Sequence, residues 1–164
     1  MILTLGNKVF YPYQGLCVIG AVVNKVVNGN PRRFYHLAVL EKGGGDLFIP
    51  FDKVESVGIR SLLKEAEIPL LLEQLKQPAP AAEHFRQRTL DNAKLIASGS
   101  AFDLVEIVAS LSGLSDGRKL SFGEQKTLDK AKRLLICEIA EVLRETQETA
   151  EEQVEQALKA RTQE

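Results

Sequence analysis

The hydrophobic pattern of the chain changes its period near residue 60, and this change limits the possible folds more than any other feature. Before it, short runs rich in Val and Ile are separated by turn residues, which is typical of antiparallel strands. After it, apolar residues recur every three or four positions, which is typical of amphipathic helices. The pattern therefore predicts a mixed α+β chain, with a β domain at 1–60 and an all-helical domain at 61–164.

The strongest turn signal of the β half is the stretch Asn28-Gly29-Asn30-Pro31, which lies between apolar runs at 16–27 and 34–40. Asn-Gly supplies the positive φ angles that a tight hairpin requires. The other strand candidates are shorter and lie at 7–11 and 47–49. Because closure removes exposed sheet edges, four or five short antiparallel strands in so few residues favour a small Tudor-like or SH3-like barrel.

Helix boundaries in the second half are marked by capping residues. Gly99 is a candidate left-handed cap, Ser100 opens the next helix, and Ser121-Phe122-Gly123-Glu124 has the form of a capping box. A second box, Thr149-Ala150-Glu151-Glu152, precedes the last helix. Two earlier helices are predicted at about 68–77 and about 82–98. The apolar positions predicted to face the core are Leu104, Ile107, Val108, Leu111, Leu128, Ala131, Leu135, Ile139, Leu143, Val154 and Leu158.

The charge distribution tells more about partners than the net charge of −1. Residues 137–164 hold three Lys or Arg against eight Asp or Glu, so the remainder is slightly basic, which favours an anionic partner. No apolar run approaches the roughly 20 residues needed to span a bilayer, and no signal-peptide pattern follows Met1. We therefore expect a cytoplasmic protein without membrane contact, with Cys17 and Cys137 as buried, reduced thiols.

The sequence offers no recognisable catalytic or metal-binding motif. Its only histidines, His36 and His84, lie far from each other and from both cysteines, so no metal-ligand spacing exists. Phosphate-binding loops, nucleophile elbows and paired catalytic carboxylates are missing as well. We expect a non-enzymatic protein without cofactor or metal, and we assign no role to His36.

An aromatic residue followed by basic residues lies in the first turn of the helix predicted at 82–98. Phe85 lies about a quarter-turn from the centre of the apolar stripe of this helix and more than one turn before its first member, which predicts exposure. Arg86, Arg88 and Lys94 add positive charge nearby. An apolar wedge held by basic groups suits the minor groove of DNA, whereas packing of Phe85 against the preceding helix or linker is the alternative. The predicted apolar stripe consists of Leu90, Ala93, Ile96 and Ala97.

Five motifs, in order over about 120 residues, resemble those of the CarD/CdnL transcription regulators. The segment Leu5-Gly6-Asn7-Lys8-Val9-Phe10-Tyr11-Pro12-Tyr13-Gln14-Gly15 is similar to the signature that opens the family's Tudor-like RNA-polymerase-interacting domain. The resemblance extends over essentially the whole chain and implies a bacterial, non-enzymatic factor. The other four motifs are Ile49-Pro50, Val57-Gly58-Ile59-Arg60, Ala97-Ser98-Gly99 and Leu120-Ser121-Phe122-Gly123-Glu124.

The resemblance implies that the barrel holds the β subunit of RNA polymerase. The positions that match the family's contacts are Lys25, with Val26 and Val27 beside it, and Phe48. Some relatives carry an arginine near the position of Phe48. Without that charge, the contact is expected to depend more on apolar groups and on strand addition at a sheet edge.

The resemblance also implies that the helical domain contacts promoter DNA at the upstream edge of the transcription bubble and stabilises the open complex. The family's wedge, typically a tryptophan, matches Phe85, and Arg86 and Arg88 match part of the basic pattern that follows it. A phenyl ring is smaller than an indole and lacks its N–H donor, so the wedge is expected to be weaker.

The expected partners are therefore the RNA polymerase β subunit and the minor groove of promoter DNA. DNA binding by the free protein is expected to be weak, because the net charge is near zero, and tethering to the polymerase raises the effective concentration. We expect a monomer. An alternative of another class remains open, namely an adaptor that binds the polymerase without touching DNA, which the Phe-for-Trp difference favours.

Overall fold

In a computed structural model, residues 3–41, 43–77 and 85–162 are described, and of residues 85–91 and 162 only the backbone is described. Internal contacts divide the chain into two compact units, Met1–Leu62 and Leu63–Glu164. Each unit is described by itself below. Among the described residues, the first unit contains the strands and one short α-helix, and the second contains five helices.

The N-terminal unit is an antiparallel sheet with the strand order β4-β3-β2-β1-β5. A 3-10 turn and a one-turn helix, α1, connect β4 to β5. The mixed α+β class predicted from the sequence is confirmed. Within the described residues the hydrogen-bonded order ends at β4 and β5, so the ladder itself is open at these two strands. The elements are β1 (Lys8–Tyr11), β2 (Gly15–Val27), β3 (Asn30–Val39), β4 (Asp46–Pro50), the turn Phe51–Lys53, α1 (Val54–Val57) and β5 (Arg60–Ser61).

The β2–β3 hairpin is formed by a two-residue turn. Asn28 and Gly29 both have positive φ angles, 52° and 80°, as a type I′ turn requires. Val27 pairs directly with Asn30, so β3 begins four residues before the predicted start at Phe34. The early pairing extends the hairpin past the sheet core and exposes its end.

A bulge interrupts the pairing of β2 with β3 and sets which side chains face outward. The register changes between the pairs Ile19–Leu37 and Val22–Tyr35. Gly20 lies in this irregular stretch, and a Cβ there would collide with the imidazole of His36. One core lies beneath the sheet, and Phe51 stacks on Tyr35 with ring centroids 4.1 Å apart. The buried members of this core are Leu3, Val9, Cys17, Ile19, Tyr35, Leu37, Ile49, Val54 and Ile59.

The C-terminal unit is helical, and its main boundaries follow the predicted caps. Ser100 accepts a hydrogen bond from the Asp103 N–H at 3.4 Å, and Ser121 and Glu124 form the predicted capping box. Gly99 has the left-handed φ of 79° expected of a cap. The helices are α2 (Glu67–Leu75), α3 (Phe85–Ser98), α4 (Ala101–Gly117), α5 (Phe122–Leu143) and α6 (Gln147–Thr162).

The start predicted for the last helix is wrong. α6 begins at Gln147, and Thr146, rather than Thr149, accepts the capping hydrogen bond, from the Thr149 N–H at 3.1 Å. α5 ends at Leu143, and its C-cap residue, Arg144, has a left-handed conformation with φ 55°. Only two residues then remain before α6, so Thr146 is the first hydroxyl that can cap it.

The face predicted to be buried on α3 is also wrong in part. Ala93 and Ala97 are exposed, whereas Asn92 and Ile96 are buried. Two alanines bury little apolar area, so they do not determine which face of a helix turns inward. The side chain of Leu90 lies outside the described residues, as does the preceding segment 78–84.

Two buried charged residues join the helices to distant parts of their unit. Glu138 of α5 accepts a hydrogen bond from the Leu63 N–H at 2.8 Å. Arg161 of α6 donates to the carbonyl oxygen of Ala109 at 2.5 Å. Of the positions on α4, α5 and α6 that were predicted to face this core, all are buried except Leu143, which is half-buried. None of the described helices is long and apolar enough to cross a membrane.

The two cysteines have different environments. Cys17 is fully buried, as predicted, and burial raises the pKa of its thiol to about 11. Cys137 is only half-buried, so the prediction of burial is wrong for it. Its Sγ lies 3.6 Å from the Nε2 of Gln147.

Candidate functional site

The outward face of the β2–β3–β4 sheet collects basic and aromatic side chains that lie apart in the sequence. Lys25 pairs across the strands with Arg32, and His36 pairs with Phe48. Phe34 lies between Arg32 and His36 on the same face, since side chains alternate along a strand. We call Lys25, Arg32, Phe34, His36 and Phe48 the outer sheet patch.

The centre of the outer sheet patch is the ammonium group of Lys25. Its Nζ lies 4.0 Å from the ring centroid of Phe48 and 5.7 Å from that of Phe34. These distances are within the range of cation–π attraction, which holds the long lysine side chain against the sheet. The Phe48 ring is 45% exposed, so the patch presents a positioned charge and an apolar surface together.

The imidazole ring of His36 packs against the ring of Phe48. The two rings are 5.1 Å apart at 35°, and His36 Nε2 lies 2.8 Å from Asp46 Oδ1. Gly20 gives the imidazole its space, because any side chain at that position would occupy it. His36, to which the sequence assigned no role, is therefore part of the patch. Alternation along β3 placed it on the face of Phe34, but its contact with Phe48 depends on the register of β3 with β4.

The second basic residue of the patch is partly neutralised. Arg32 donates to both carboxylate oxygens of Asp52, at 3.1 and 3.4 Å. This hydrogen bond, together with the positive charge of Arg32, holds the pKa of the Asp52 carboxyl below its ordinary range. Lys25 is therefore the main source of positive charge that the patch offers to a partner.

The four residues predicted to contact the polymerase lie on two faces of the sheet. Lys25 and Phe48 are in contact, and Val27, 37% exposed, is on the same side of β2 as Lys25. Val26 is 73% exposed on the reverse side. β4, which carries Phe48, is an end strand of the sheet and pairs with β3.

The residues predicted to contact DNA lie on α3. Lys94 is exposed, whereas the side chains of Phe85, Arg86 and Arg88 lie outside the described residues, as does His84. Position 85 precedes the buried Asn92 by seven residues, or two helical turns. Position 85 therefore lies on the same side of α3 as Asn92, and the helical period no longer predicts that Phe85 is exposed. The exposure of Phe85 remains a prediction, and it now rests on the family resemblance.

The residues that the structure describes include no group of three or more His, Cys, Asp or Glu side chains that could hold a metal ion.

Comparison with known protein families gives two matches. The CarD C-terminal domain matches residues 70–155, just over half of the chain. The CarD-like/TRCF RID domain, an RNA-polymerase-interacting module, matches residues 3–63. Together they confirm the resemblance found in the motifs, and both are domains of a transcription-related, non-catalytic regulator. The chain belongs to the CarD family of RNA-polymerase-interacting regulators.

Proposed function

We propose that this protein binds the β subunit of RNA polymerase through the outer sheet patch and contacts promoter DNA through its helical domain, thereby stabilising the open complex. The main support for the polymerase contact is the position of the Lys25 ammonium group over the Phe48 ring. Residues 1–60 act as the polymerase-binding domain and 61–164 as the DNA-contacting domain. The protein acts as a monomer in the cytoplasm, where polymerase and promoter DNA are present.

The outer sheet patch supplies charge by a different route from relatives that carry an arginine near position 48. Phe48 is uncharged, but Lys25 reaches its ring from two strands away and places a cation there. A cation over an exposed aromatic ring suits a partner surface with a carboxylate beside an apolar group. β4 is an end strand of the sheet, and its open edge offers backbone groups for pairing with a strand of the partner.

The DNA half of the proposal is a shift of population. A wedge at Phe85 fits a widened, partly unstacked minor groove and does not fit closed duplex, so binding favours the open state by the difference in affinity. Arg86, Arg88 and Lys94 hold the phosphates. Binding to the polymerase raises the local concentration of this weak DNA contact.

The polymerase contact is tested by pull-down of the β subunit with variants of the patch. Lys25→Glu and Phe48→Ala should each weaken binding by about 5- to 30-fold, which corresponds to about 1–2 kcal/mol. Lys53→Glu is the matched control, because Lys53 is an exposed lysine of the same unit outside the patch. Unchanged binding by both patch variants, with Lys53→Glu also unchanged, would refute the patch as the polymerase site.

An adaptor that binds polymerase without DNA contact is the second candidate, and it is favoured by the phenylalanine at position 85. The two candidates differ in the effect of Phe85→Ala on the lifetime of the open complex formed with matched polymerase. A DNA contact predicts a shorter lifetime with polymerase binding intact. An unchanged lifetime favours the adaptor, since the only group altered is the predicted wedge.

A further inference from the structure

The strand β2 is longer than the strand that pairs with its outer edge. β2 runs from Gly15 to Val27, but β1 pairs with it only at 15–18, and the Ile19 N–H then donates to the Asn7 carbonyl at 2.9 Å. From residue 21 onward, no described strand pairs with the edge of β2 that faces away from β3. We call this segment, Ala21-Val22-Val23-Asn24-Lys25-Val26-Val27, the free β2 edge.

The turn of the hairpin decides which backbone groups the free β2 edge presents. In a two-residue hairpin the residues that flank the turn, here Val27 and Asn30, exchange both hydrogen bonds, and bonded and non-bonded pairs then alternate along the strands. Val26 is therefore in a non-bonded pair, which agrees with its partner Pro31, a residue without an N–H. The residues whose N–H and C=O groups consequently point away from β3 are Val22, Asn24 and Val26.

The side chains of the free β2 edge are mostly apolar and exposed. Val22 is 50% exposed and Val26 is 73% exposed, and both lie on the reverse side of the sheet from the outer sheet patch. Lys25 is the only charged residue of the segment. Proteins usually protect such an edge with several charges or with a proline, because an exposed edge pairs readily with another strand. Pro31 lies on β3 instead, so it does not protect this edge.

A second copy of the same edge matches it in one antiparallel register. With Asn24 opposite Asn24 of the second copy, Val22 lies opposite Val26 on both sides of the centre, and each of these three pairs exchanges two hydrogen bonds. A symmetric register centred on Val23 or on Lys25 loses one bonded pair. The register centred on Lys25 also places two ammonium groups directly opposite each other, which is unfavourable.

We propose that two copies of this chain pair through the free β2 edge in an antiparallel, twofold-symmetric dimer. In the register centred on Asn24, Lys25 of each copy lies opposite Val23 of the other, so the two cations do not oppose each other directly. The exposed Val22 and Val26 side chains cover each other on the reverse side of the sheet. In the dimer the edge is covered, so a strand of another protein can pair there only after the copies dissociate.

The dimer is weak and forms only at high protein concentration. Edge pairing over one short segment buries less area than the interfaces of stable dimers. The dissociated monomer is the form that acts in the proposed function. The inference depends on neither the polymerase contact nor the DNA contact, and it is tested with the full-length protein alone.

Disulfide trapping tests the register. The Cα atoms of a bonded antiparallel pair lie about 5.5 Å apart, a distance that suits a disulfide. Asn24→Cys, in a Cys137→Ser background, should therefore form a covalent dimer under mild oxidation, seen on non-reducing gels. Cys17 is fully buried and should not react.

Val26→Cys in the same background is the matched control, because it lies on the same edge and is exposed as well. Its two copies lie about 13 Å apart across the symmetry axis, too far for a disulfide. Val26→Cys alone should therefore remain a monomer, whereas a mixture of Val22→Cys and Val26→Cys proteins should crosslink.

Sedimentation equilibrium between about 10 μM and 1 mM protein measures the strength of self-association. Val22→Lys should weaken the dimer by at least about tenfold, because a lysine on a strand edge opposes pairing. The double variant Val22→Lys with Val26→Glu should recover most of this loss, because opposite charges then face each other in both halves of the interface. Lys53→Glu, an exposed position of the same unit outside the edge, should associate as the unaltered protein does.

The outcomes decide between the second copy and other occupants of the edge. Faster crosslinking of Asn24→Cys than of Val26→Cys, with recovery in the double variant, supports the dimer. Equal crosslinking of the two, or a protein that stays monomeric at the highest concentration, overturns it. If the protein alone is monomeric and Val22→Lys loses the polymerase β subunit in pull-down, the edge takes a polymerase strand and the inference is wrong. If Val22→Lys does not fold, as shown by circular dichroism, the disulfide comparison decides.

Discussion

Replacing Gly20 by alanine should disrupt the outer sheet patch from beneath it. The new methyl group would occupy the space of the His36 imidazole. His36 would then have to leave its contact with Phe48, 5.1 Å away, and its 2.8 Å contact with Asp46. The substitution lies outside the patch itself, so any loss of polymerase binding would report the position of Phe48 rather than a missing contact.

The magnitude follows from two opposing effects. Overpacking a filled site costs about 1–3 kcal/mol, and replacing a glycine stabilises the chain by about 0.4–1 kcal/mol through the unfolded state. Gly20 does not have a positive φ, so backbone strain adds nothing. A net loss of roughly 1–2 kcal/mol remains, which lowers the Tm of a unit of this size by about 5–15 °C.

The assay can isolate the N-terminal unit within the full chain. The protein has no tryptophan, and its three tyrosines, Tyr11, Tyr13 and Tyr35, all lie in that unit. Thermal unfolding followed by tyrosine fluorescence therefore reports the strand unit, and pull-down of the β subunit reports the patch. His36→Ala is the companion variant, since it removes the group with which the new methyl collides.

The double variant decides whether the collision is the cause. Gly20→Ala combined with His36→Ala should be less destabilised than the sum of the two single changes, by about 1 kcal/mol or more, because residues in contact are not additive. Simple additivity, or a Gly20→Ala protein as stable as the original, would refute the packing of His36 on Gly20.

Three further predictions concern single sites. Arg161→Met removes the donor to the Ala109 carbonyl and the 3.9 Å ion pair with Asp116, and should cost about 1–3 kcal/mol, measured by loss of helical circular dichroism on heating; an unchanged Tm would contradict it. Arg32→Gln should raise the pKa of Asp52 toward its ordinary value in a carboxyl NMR titration, and the absence of a shift would show that Arg32 is not the cause of the lowered pKa. The stabilisation that this pair gives to the folded protein is present above the unfolded pKa of the carboxyl. It is lost as pH falls through the lowered pKa of the folded state. Because burial raises the pKa of Cys17 to about 11, iodoacetamide near neutral pH should label Cys137 first and Cys17 only after unfolding, as seen by peptide mass spectrometry.

Features decided by neighbouring residues were predictable from the sequence. Asn28-Gly29 specified its turn because few residue pairs tolerate two positive φ angles. Ser121 and Glu124 specified a helix start because their side chains and backbones satisfy each other three residues apart. In both cases the stabilising partner lies within the local segment.

Features that depend on competition between similar residues were not predictable. Thr146 and Thr149 can both cap a helix, and the end of α5 decides between them. On α3, the hydropathy of Ala93 favoured one face, but the buried face carries Asn92. Only the packing partner of a helix decides such cases, and the sequence of the helix does not contain it.

The outer sheet patch was predictable in parts only. Lys25 and Phe48 were named from the sequence, but His36 contacts Phe48 through the register of β3 with β4, which pairs the two residues directly. A shift of the register by one residue would move every side chain of a strand to the other face. The patch is thus specified jointly by three strands, and its composition follows only from their pairing.

The cation–π contact at the centre of the outer sheet patch has a counterpart on an unrelated element, α5. Lys25 lies over Phe48 on the sheet, and Lys126 lies over Phe122 on α5. In each pair the ring restrains a flexible ammonium and remains exposed itself, so less side-chain entropy is lost when a partner binds. An uncharged substitution of the ring should therefore weaken both the apolar contact and the neighbouring charge contact. Phe48→Leu keeps an apolar side chain at this position but removes the π face. Any loss of polymerase binding greater than the smaller apolar area explains would therefore measure the restraint on Lys25.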